Sequence, residues 1–487
     1  MPPSRATTAK RAPGRNASGR TTSPRSRPSG EKAASTQEER EQVLGVSGLG
    51  FVGVAMAIAF AHYGHKVVAY DVVDARRAAI AEGRAPFFDP GLQEELTAAV
   101  ESGRLKVAKD REELFRKVSV LFLCLPTPPR PDGSVDTSFL EEEAARLGKL
   151  LARAEGWRLI VVKSTSPPGT SQRIEKILAK ESGKRPGKDF SVACNPEFLA
   201  EGSLVADALE PSRIVVGVGD ARSERALRGS YQGFPGTFVA LSPAAGELVK
   251  YASNALLAVK VSFANEMARL AEQVGVDIYP VMEAVGMDPR LGAHFLRAGP
   301  GFGGSCFPKD LRGLVAFAHH RGIPLPVTDG ALGVNETQAR HVVDLTESSL
   351  GSRVAGREVA LLGLAFKSGT DDVRESRAYP ILGELLKRGA LVRLHDPKAL
   401  EGFRRLLPPS VAGAEGTQLR FCSTAAEALR GASLALIQCD WPEYREVPLP
   451  LWKQLKDRLV VDARRSVDGP TLERSGVHYA AVGLGRS

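Results

Sequence analysis

Val43-Leu44-Gly45-Val46-Ser47-Gly48-Leu49-Gly50-Phe51-Val52-Gly53 is the stretch that decides the fold. Val43 to Val46 reads as a short apolar strand. Glycines at 48, 50 and 53 follow, and a helical apolar pattern runs from Val54 to His62. A second strand, Lys66 to Tyr70, ends on Asp71. Strand, glycine turn, helix, strand and acid in this order make a dinucleotide fingerprint. The glycines let a pyrophosphate come close to a helix N-terminus. Asp71 would accept hydrogen bonds from the adenosine ribose. A carboxylate there repels a 2′-phosphate, so the expected cofactor is NAD rather than NADP.

The strand–helix rhythm continues outward from this turn. Val118 to Leu125, Leu159 to Lys163 and Phe190 to Cys194 read as buried strands, and Ile214 to Val218 closes the unit. Three of these strands deliver polar, proline-bearing loops: Pro126-Thr127-Pro128, Ser164 to Thr170, and Asn195 to Gly202. Ligands of open parallel sheets bind beyond the carboxyl ends of strands. Thr127, Thr165, Glu197 and Glu201 are therefore candidates, though each could equally be a cap or a solvated acid.

After Pro243 the pattern changes. No proline occurs from Ala244 to Val274, and Leu248, Tyr251, Leu256, Val259, Phe263, Met267 and Leu270 recur at helical intervals. A helix of that length suggests a spine shared between domains or subunits. Lys250 and Asn254, four apart, share one face of it. Shorter helices are predicted over Pro280 to Val285 and Leu291 to Leu296. They lead into Gly299-Pro300-Gly301-Phe302-Gly303-Gly304-Ser305-Cys306-Phe307-Pro308-Lys309-Asp310. Four glycines there permit turns and close approach to a ligand. Pro308 suits the first turn of a helix, which puts Cys306 at a helix N-terminus, where the dipole favours a thiolate. Lys309 adds a positive charge, and Asp310 lies one turn on. The residues support either an activated thiol in a glycine-lined cavity or a buried cysteine in a tight turn.

A third unit begins near Arg357. Val359 to Phe366 is an apolar strand broken by Gly363, followed by a loop carrying Lys367 and Arg374. A helix over about Pro380 to Arg388 and strands at Leu391 to Leu394, Leu434 to Gln438 and Leu459 to Asp462 complete a second doubly wound half. Its first loop lacks G-x-G-x-x-G, and its cations suit a phosphorylated ligand. The expected fold is thus α/β: two Rossmann-like parallel-sheet domains joined by a long central helix and a helical middle region. The expected boundaries are a basic tail at 1–41, a dinucleotide domain at 42–241, a helical domain at 242–340 and a second Rossmann-like domain at 341–487.

Composition narrows the function. The chain has 487 residues and a net charge of +9, but the first thirty residues hold seven arginines and lysines and no acid. The body is therefore nearly neutral, and with 6% aromatic residues it lacks the basic, stacking surface of a nucleic-acid binder. The Ser/Thr/Pro/Arg-rich tail cannot bury enough apolar surface to order itself; an inert tail, a polyanion contact or a targeting role all fit it. No apolar run reaches the ~18 residues of a membrane helix. Five cysteines without a C-x-x-C argue against a disulfide framework or a zinc site and for a reducing compartment, the cytoplasm.

With these motifs assembled, the chain resembles the nucleotide-sugar 6-dehydrogenases, the UDP-glucose/GDP-mannose dehydrogenase family. The resemblance spans 42 to about 480. It rests on G-L-G-F-V-G at 48–53, K-S-T-S-P-P-G-T at 163–170, N-P-E-F-L-A-E-G at 195–202 and the Lys250/Asn254 helix. It rests equally on D-P-R-L-G at 288–292, G-F-G-G-S-C-F-P-K-D at 301–310, F-K-S-G-T-D-D-V-R-E-S at 366–376 and A-R-R at 463–465. The UDP-N-acetyl-hexosamine enzymes typically read G-H-C-I at the cysteine, so G-G-S-C-F-P-K-D points to the UDP-glucose branch, with GDP-mannose enzymes the nearest alternative.

The resemblance implies two NAD-dependent oxidations at C6 of a nucleotide sugar, with Cys306 carrying thiohemiacetal and thioester intermediates. It implies that Asp310 and Thr165 hold a basic water, that Glu197 assists thioester hydrolysis, and that Lys250 and Asn254 stabilise charge on the C6 oxygen. Gly48, Gly50, Gly53, Asp71, Arg76, Thr127, Thr165, Glu201, Lys309 and Arg374 are expected on NAD. Glu197, Phe198, Leu199, Glu201, Lys250, Asn254, Arg297, Gly299, Phe302, Gly303, Phe366, Lys367 and Arg464 are expected around the sugar nucleotide. Arg465 is the alternative to Arg464, and Arg290 is expected in a neighbouring subunit's site, which requires a homodimer or higher oligomer. No metal is expected.

Overall fold

The computed structural model describes residues 42–485; the tail at 1–41 lies outside the described residues. The first domain is an eight-stranded sheet. Its strands are β1 (Val43–Ser47), β2 (Lys66–Tyr70), β3 (Leu105–Val107), β4 (Val120–Leu123), β5 (Arg158–Val162), β6 (Phe190–Cys194), β7 (Arg213–Gly217) and β8 (Thr237–Leu241). They lie in the order β3-β2-β1-β4-β5-β6-β7-β8. The strand order reverses between β1 and β4, which opens a crevice at their carboxyl ends. Strands such as β4 and β6 are buried along their whole length, as expected where helices cover both faces of a parallel sheet. β1 to β6 are parallel; β7 meets β6 at a single antiparallel pair, Cys194 opposite Gly217, and pairs in parallel with β8, so the last two strands run the other way.

The second sheet comprises β9 (Glu358–Leu362), β10 (Leu391–His395), β11 (Leu419–Phe421), β12 (Leu434–Ile437), β13 (Leu459–Asp462) and β14 (His478–Ala481), ordered β11-β10-β9-β12-β13-β14 and parallel throughout. Both sheets thus share one winding, and each presents its loops at a switch point.

The helix Pro243–Gln273, 31 residues long, joins them. Its first turns lie against the first sheet, where a Cβ on Gly246 would sit 3.0 Å from the backbone of Gly217. Its last turns carry Ala264, Ala268 and Ala271 into the core of the second sheet. Small residues at both ends let the backbone approach each domain closely. A second long helix, Pro326–Leu350, packs beside it. That helix runs through residue 340, so the expected domain boundary there falls inside a continuous element. The helix expected over Leu291–Leu296 is also absent. Gly292 and Phe295 take left-handed backbone angles, φ 67° and 66°, and break the segment into turns.

Candidate active site

The glycine turn after β1 is shaped from below. Gly48 has φ 92°, and a Cβ there would lie 2.3 Å from the Cys124 carbonyl oxygen. One on Gly53 would lie 1.8 Å from the Gly48 carbonyl oxygen. The first and third glycines are therefore closed off by backbone. A Cβ on Gly50 would meet nothing within 4 Å, so the middle glycine leaves backbone open where the helix Phe51–His62 begins. Asp71 braces the turn. Its Oδ2 accepts from the Leu49 amide at 2.7 Å and from Arg76 at 2.9 Å, and its Oδ1 accepts from the Val73 amide at 2.8 Å. Burial works against its ionisation, but these donors hold it below the usual carboxylate range. An open backbone cradle ending on an ionised acid fits a dinucleotide.

Across the crevice, the helix Pro243–Gln273 turns a polar stripe inward. Glu247, Lys250 and Asn254 are all buried, at spacings of three and four. Lys250 Nζ meets Glu197 Oε1 at 2.8 Å. Glu197 reaches this place because its loop follows β6, and its other oxygen accepts from the Leu199 amide at 2.7 Å. Burial opposes both charges. The pair nonetheless holds Glu197 below and Lys250 above their ordinary values. Asn254 Nδ2 donates to Asp310 Oδ2 at 2.7 Å, and Lys309 Nζ to Asp310 Oδ1 at 2.6 Å. Asp310 is 1% exposed. Glu247 accepts from the Gly169 amide at 2.6 Å and from the Ser171 amide at 2.7 Å. It thereby ties the Thr165 loop to the central helix. Thr165, Glu247, Lys250 and Pro196 line one small cavity.

Cys306 immediately precedes the helix Phe307–His319, as the sequence indicates, among Glu197, Lys250 and Asp310. Its protonation corrects the expectation. Burial and the carboxylates of Glu197 and Asp310 outweigh Lys250, and the thiol is pushed up to about 11. The helix terminus alone does not make a thiolate there. The thiol touches Ser305 Oγ at 3.5 Å.

The glycine loop itself rests on the second Rossmann-like domain. A Cβ on Gly303 would lie 2.3 Å from the Glu375 carbonyl oxygen, and one on Gly304 2.8 Å from the Phe366 ring. Phe302 is clamped by Asn335, which donates to its carbonyl at 3.1 Å and accepts from its amide at 2.8 Å. Arg377, buried and held down to about 10 by burial, donates to the Pro300 and Asn335 carbonyls at 3.3 and 2.8 Å. Arg464 borders Gly299, where a Cβ would approach its Nη1 at 3.4 Å. Arg465 instead pairs with Asp277 at 2.9 Å, which leaves Arg464 as the arginine facing the loop. Arg374 crosses the domain gap to Glu201 at 3.1 Å and lies over the Phe51 ring, 5.4 Å from its centroid. Lys367 lies near Gly202, its Cε 3.8 Å from a Cβ built there. Lys250 lies 5.6 Å from the Phe198 ring centroid.

One crevice therefore gathers a dinucleotide turn, a half-buried cysteine, two buried polar pairs and cations from the far domain. Family models agree with that arrangement. The UDP-glucose/GDP-mannose dehydrogenase NAD binding domain matches residues 42–235, the central domain 244–337 and the UDP binding domain 360–469. The chain belongs to the UDP-glucose/GDP-mannose dehydrogenase family. It is 37% identical to the UDP-glucose 6-dehydrogenase AglM of Haloferax volcanii, over 90% of this chain and 99% of that one. It is 36% identical to a UDP-glucose 6-dehydrogenase of Rickettsia typhi, over 90% and 98%. Among solved structures, a UDP-glucose dehydrogenase from Pyrobaculum islandicum superposes with TM-score 0.82 at 40% identity, covering 92% of this chain and 99% of that one. The chain is thus an NAD-dependent dehydrogenase by family.

Two expected residues are exposed within one chain. Arg290 is exposed and pairs with Asp288 at 2.6 Å. Arg297 lies over the Tyr279 ring, 5.2 Å from its centroid. Thr127 is half-buried beyond the end of β4. Glu247, Ser305, Asn335, Asp372 and Arg377 are structural members of the site that sequence reasoning missed. Glu247 was readable, because 247, 250 and 254 lie on one helix face. The others come from remote segments that only the tertiary fold brings in.

Proposed function

We propose that this protein oxidises UDP-glucose twice at C6, giving UDP-glucuronate. One observation carries the reading: Cys306 sits at the end of a glycine-walled loop, ringed by the Lys250–Glu197 and Asn254–Asp310 pairs. NAD, held by Gly48, Gly50, Gly53, Asp71 and Arg76 with Thr127, Thr165, Glu201, Lys309 and Arg374 around its reactive end, supplies the hydride acceptor. Asp310 and Thr165 hold the water that takes the C6 hydroxyl proton. Lys250 and Asn254 donate to the C6 oxygen as it gains negative charge, and each such donor lowers the barrier by on the order of 2.7–4 kcal/mol. Cys306 adds to the aldehyde, which keeps the half-oxidised sugar bound for the second oxidation. Glu197 then orients the water that opens the thioester. Phe198, Leu199, Phe366, Lys367, Arg464 and the loop Arg297–Gly303 surround the sugar nucleotide, between the proposed domains at 42–241, 242–340 and 341–487.

The active form is a homodimer or higher oligomer. Leu256, Phe263 and Leu270 stand seven apart on the central helix and are 63%, 44% and 56% exposed. Met287 and Leu291, also exposed, flank Arg290. An apolar stripe of this size suits a second copy of the chain, and it would carry Arg290 toward that copy's sugar site. Free cysteines throughout the described residues suit the cytoplasm. Among those residues no helix is long and apolar enough to cross a membrane.

Counting NADH against a panel of nucleotide sugars tests the reading. Two NADH per UDP-glucose are expected. One NADH per sugar, or turnover only with GDP-mannose or a UDP-N-acetyl-hexosamine, overturns it.

A further inference from the structure

A thiol pushed up to about 11 is a poor nucleophile at neutral pH, so the site needs a place for its proton. Glu197 is engaged with Lys250, and Asp310 with Asn254 and Lys309. The contact left to the sulfur is Ser305. With Glu201 ionised, Ser305 Oγ donates its hydrogen to Glu201 Oε1 at 2.8 Å, which leaves the thiol to donate in the 3.5 Å contact between Ser305 and Cys306. The hydrogen-bond direction therefore runs from sulfur to hydroxyl to carboxyl.

Glu201 can receive that proton once it is ionised. Its Oε1 also accepts from Arg374 at 3.1 Å, while its Oε2 is buried without a donor, beside the Asp372 carboxylate to which the neutral acid can donate. Asp372, the neighbouring carboxylate, is gripped by Arg374 through Nε at 2.9 Å and Nη2 at 2.5 Å and stays ionised beside it. Burial and the Asp372 charge push Glu201 up to about 8, against Arg374 and Ser305. A base at that level is much closer to a thiol near 11 than an ordinary carboxylate is.

We propose that Ser305 and Glu201 form a proton relay for Cys306, with Asp372 and Arg374 of the second Rossmann-like domain holding Glu201 ready to accept. This rests on the reading of Cys306 as the nucleophile. When the sulfur adds to the aldehyde, the S–C6 bond forms and the carbonyl π pair moves to the C6 oxygen, beside Lys250 and Asn254. The S–H proton passes to Ser305 Oγ, and the Ser305 hydroxyl proton passes to Glu201. The step leaves one carboxylate neutral and one oxyanion paired with an ammonium. Ser305 touches the reacting atom. Glu201 acts through it as a positioning residue, and because Arg374 and Asp372 come from the other domain, the relay is complete only when the two domains are closed on each other.

The test is the pH profile of Cys306 alkylation by iodoacetamide, read by peptide mass in the intact protein without substrate. Thiol reactivity in the native protein should rise with an inflection near pH 8, the value at which Glu201 ionises. Ser305→Ala and Glu201→Gln should each lower the rate at that pH by about 10²-fold, the usual scale of general-base assistance, and move the inflection toward 11. Ser305→Thr, which keeps the hydroxyl, should restore the native profile. Unchanged profiles in both Ser305→Ala and Glu201→Gln overturn the relay and leave Cys306 as nucleophile. Native NADH stoichiometry in Cys306→Ala would instead overturn the underlying reading. A melting curve for each variant separates misfolding from loss of the relay, and Ser305→Ala removes only one oxygen atom.

Discussion

Replacing Lys250 by Met should damage the fold before it damages chemistry, and in a pH-dependent way. The Lys250 and Glu197 side chains are 4% and 7% exposed. Removing one partner of such a pair leaves a buried charge uncompensated and costs about 3–5 kcal/mol, on the order of 10 °C in melting temperature for a unit of this size. In the native protein the Glu197 pKa lies below its ordinary value. That depressed pKa contributes stability present above the unfolded carboxylate pKa and lost as pH falls through the folded value. In Lys250→Met the burial of Glu197 goes largely unopposed and its folded pKa climbs. The folded state then binds the extra proton, so stability should fall as pH rises from 5 to 8, a range over which the native Glu197–Lys250 pair contributes no slope. Lys250→Met/Glu197→Gln removes both charges and should recover most of the loss. Calorimetric melting at several pH values reads all three. The reasoning fails if Lys250→Met melts like the native protein at pH 8, or if the double variant is no more stable than the single one.

The glycine turn gives a paired prediction. Gly53→Ala, whose methyl would overlap the Gly48 carbonyl oxygen, should distort the turn and abolish NAD binding by calorimetry, whereas Gly50→Ala, with open space around it, should fold normally and weaken NAD at least about tenfold. Asp71→Asn keeps an acceptor for the Leu49 amide but removes the repelling charge, so the ratio of NADP to NAD turnover should rise; an unchanged ratio would place cofactor choice elsewhere. Glu247→Ala strands the buried Gly169 and Ser171 donors and should cost roughly 1–3 kcal/mol, with turnover falling because the Thr165 loop loses its tie to the central helix. Cys306→Ser should stall after the first oxidation or accumulate a slow ester, seen by intact mass.

Several local features of the geometry were legible. The turn at 48–53, the acid at 71, the strand-end loops and the Lys250/Asn254 face each depend on residues within a few turns of each other. The long helix Pro326–Leu350 lacks a strong apolar rhythm: its buried set includes Thr328, Asn335, Gln338 and Thr346, because that face holds polar clamps against the glycine loop. Leu291–Leu296 shows the reverse error. Its apolar residues suggested a helix, but Leu291 and Phe295 are exposed and the backbone turns left-handed. The state of Cys306 escaped because a helix terminus is visible in sequence, whereas the burial and the Glu197 carboxylate, over a hundred residues earlier, that join Asp310 in opposing it come only from packing.

The two halves also explain why only one of them takes a dinucleotide. Both use an acid after the second strand to brace the turn after the first. Asp71 accepts from the Leu49 amide, and Asp396 accepts from the Leu364 and Ala365 amides at 2.7 and 3.0 Å. Gly363, φ 89°, repeats Gly48. From there the halves diverge. Asp71 is completed by Arg76, a side chain 37% exposed to solvent. Asp396 is completed by the Lys398 and Ala399 amides and by the buried Trp441 indole at 3.0 Å, so no lone pair is left for a ribose. Gly50 leaves its backbone open, while the corresponding Ala365 is fully buried. No helix starts at the second turn either; the chain runs on as a loop to Ala378, past Lys367, Asp372 and Arg374. A sealed acid, a filled cradle and a missing helix terminus remove each device that holds a dinucleotide, and the loop that replaces them reaches across the crevice to Glu201 and Phe51. The second half has exchanged a cofactor site for side chains that complete the first half's active site.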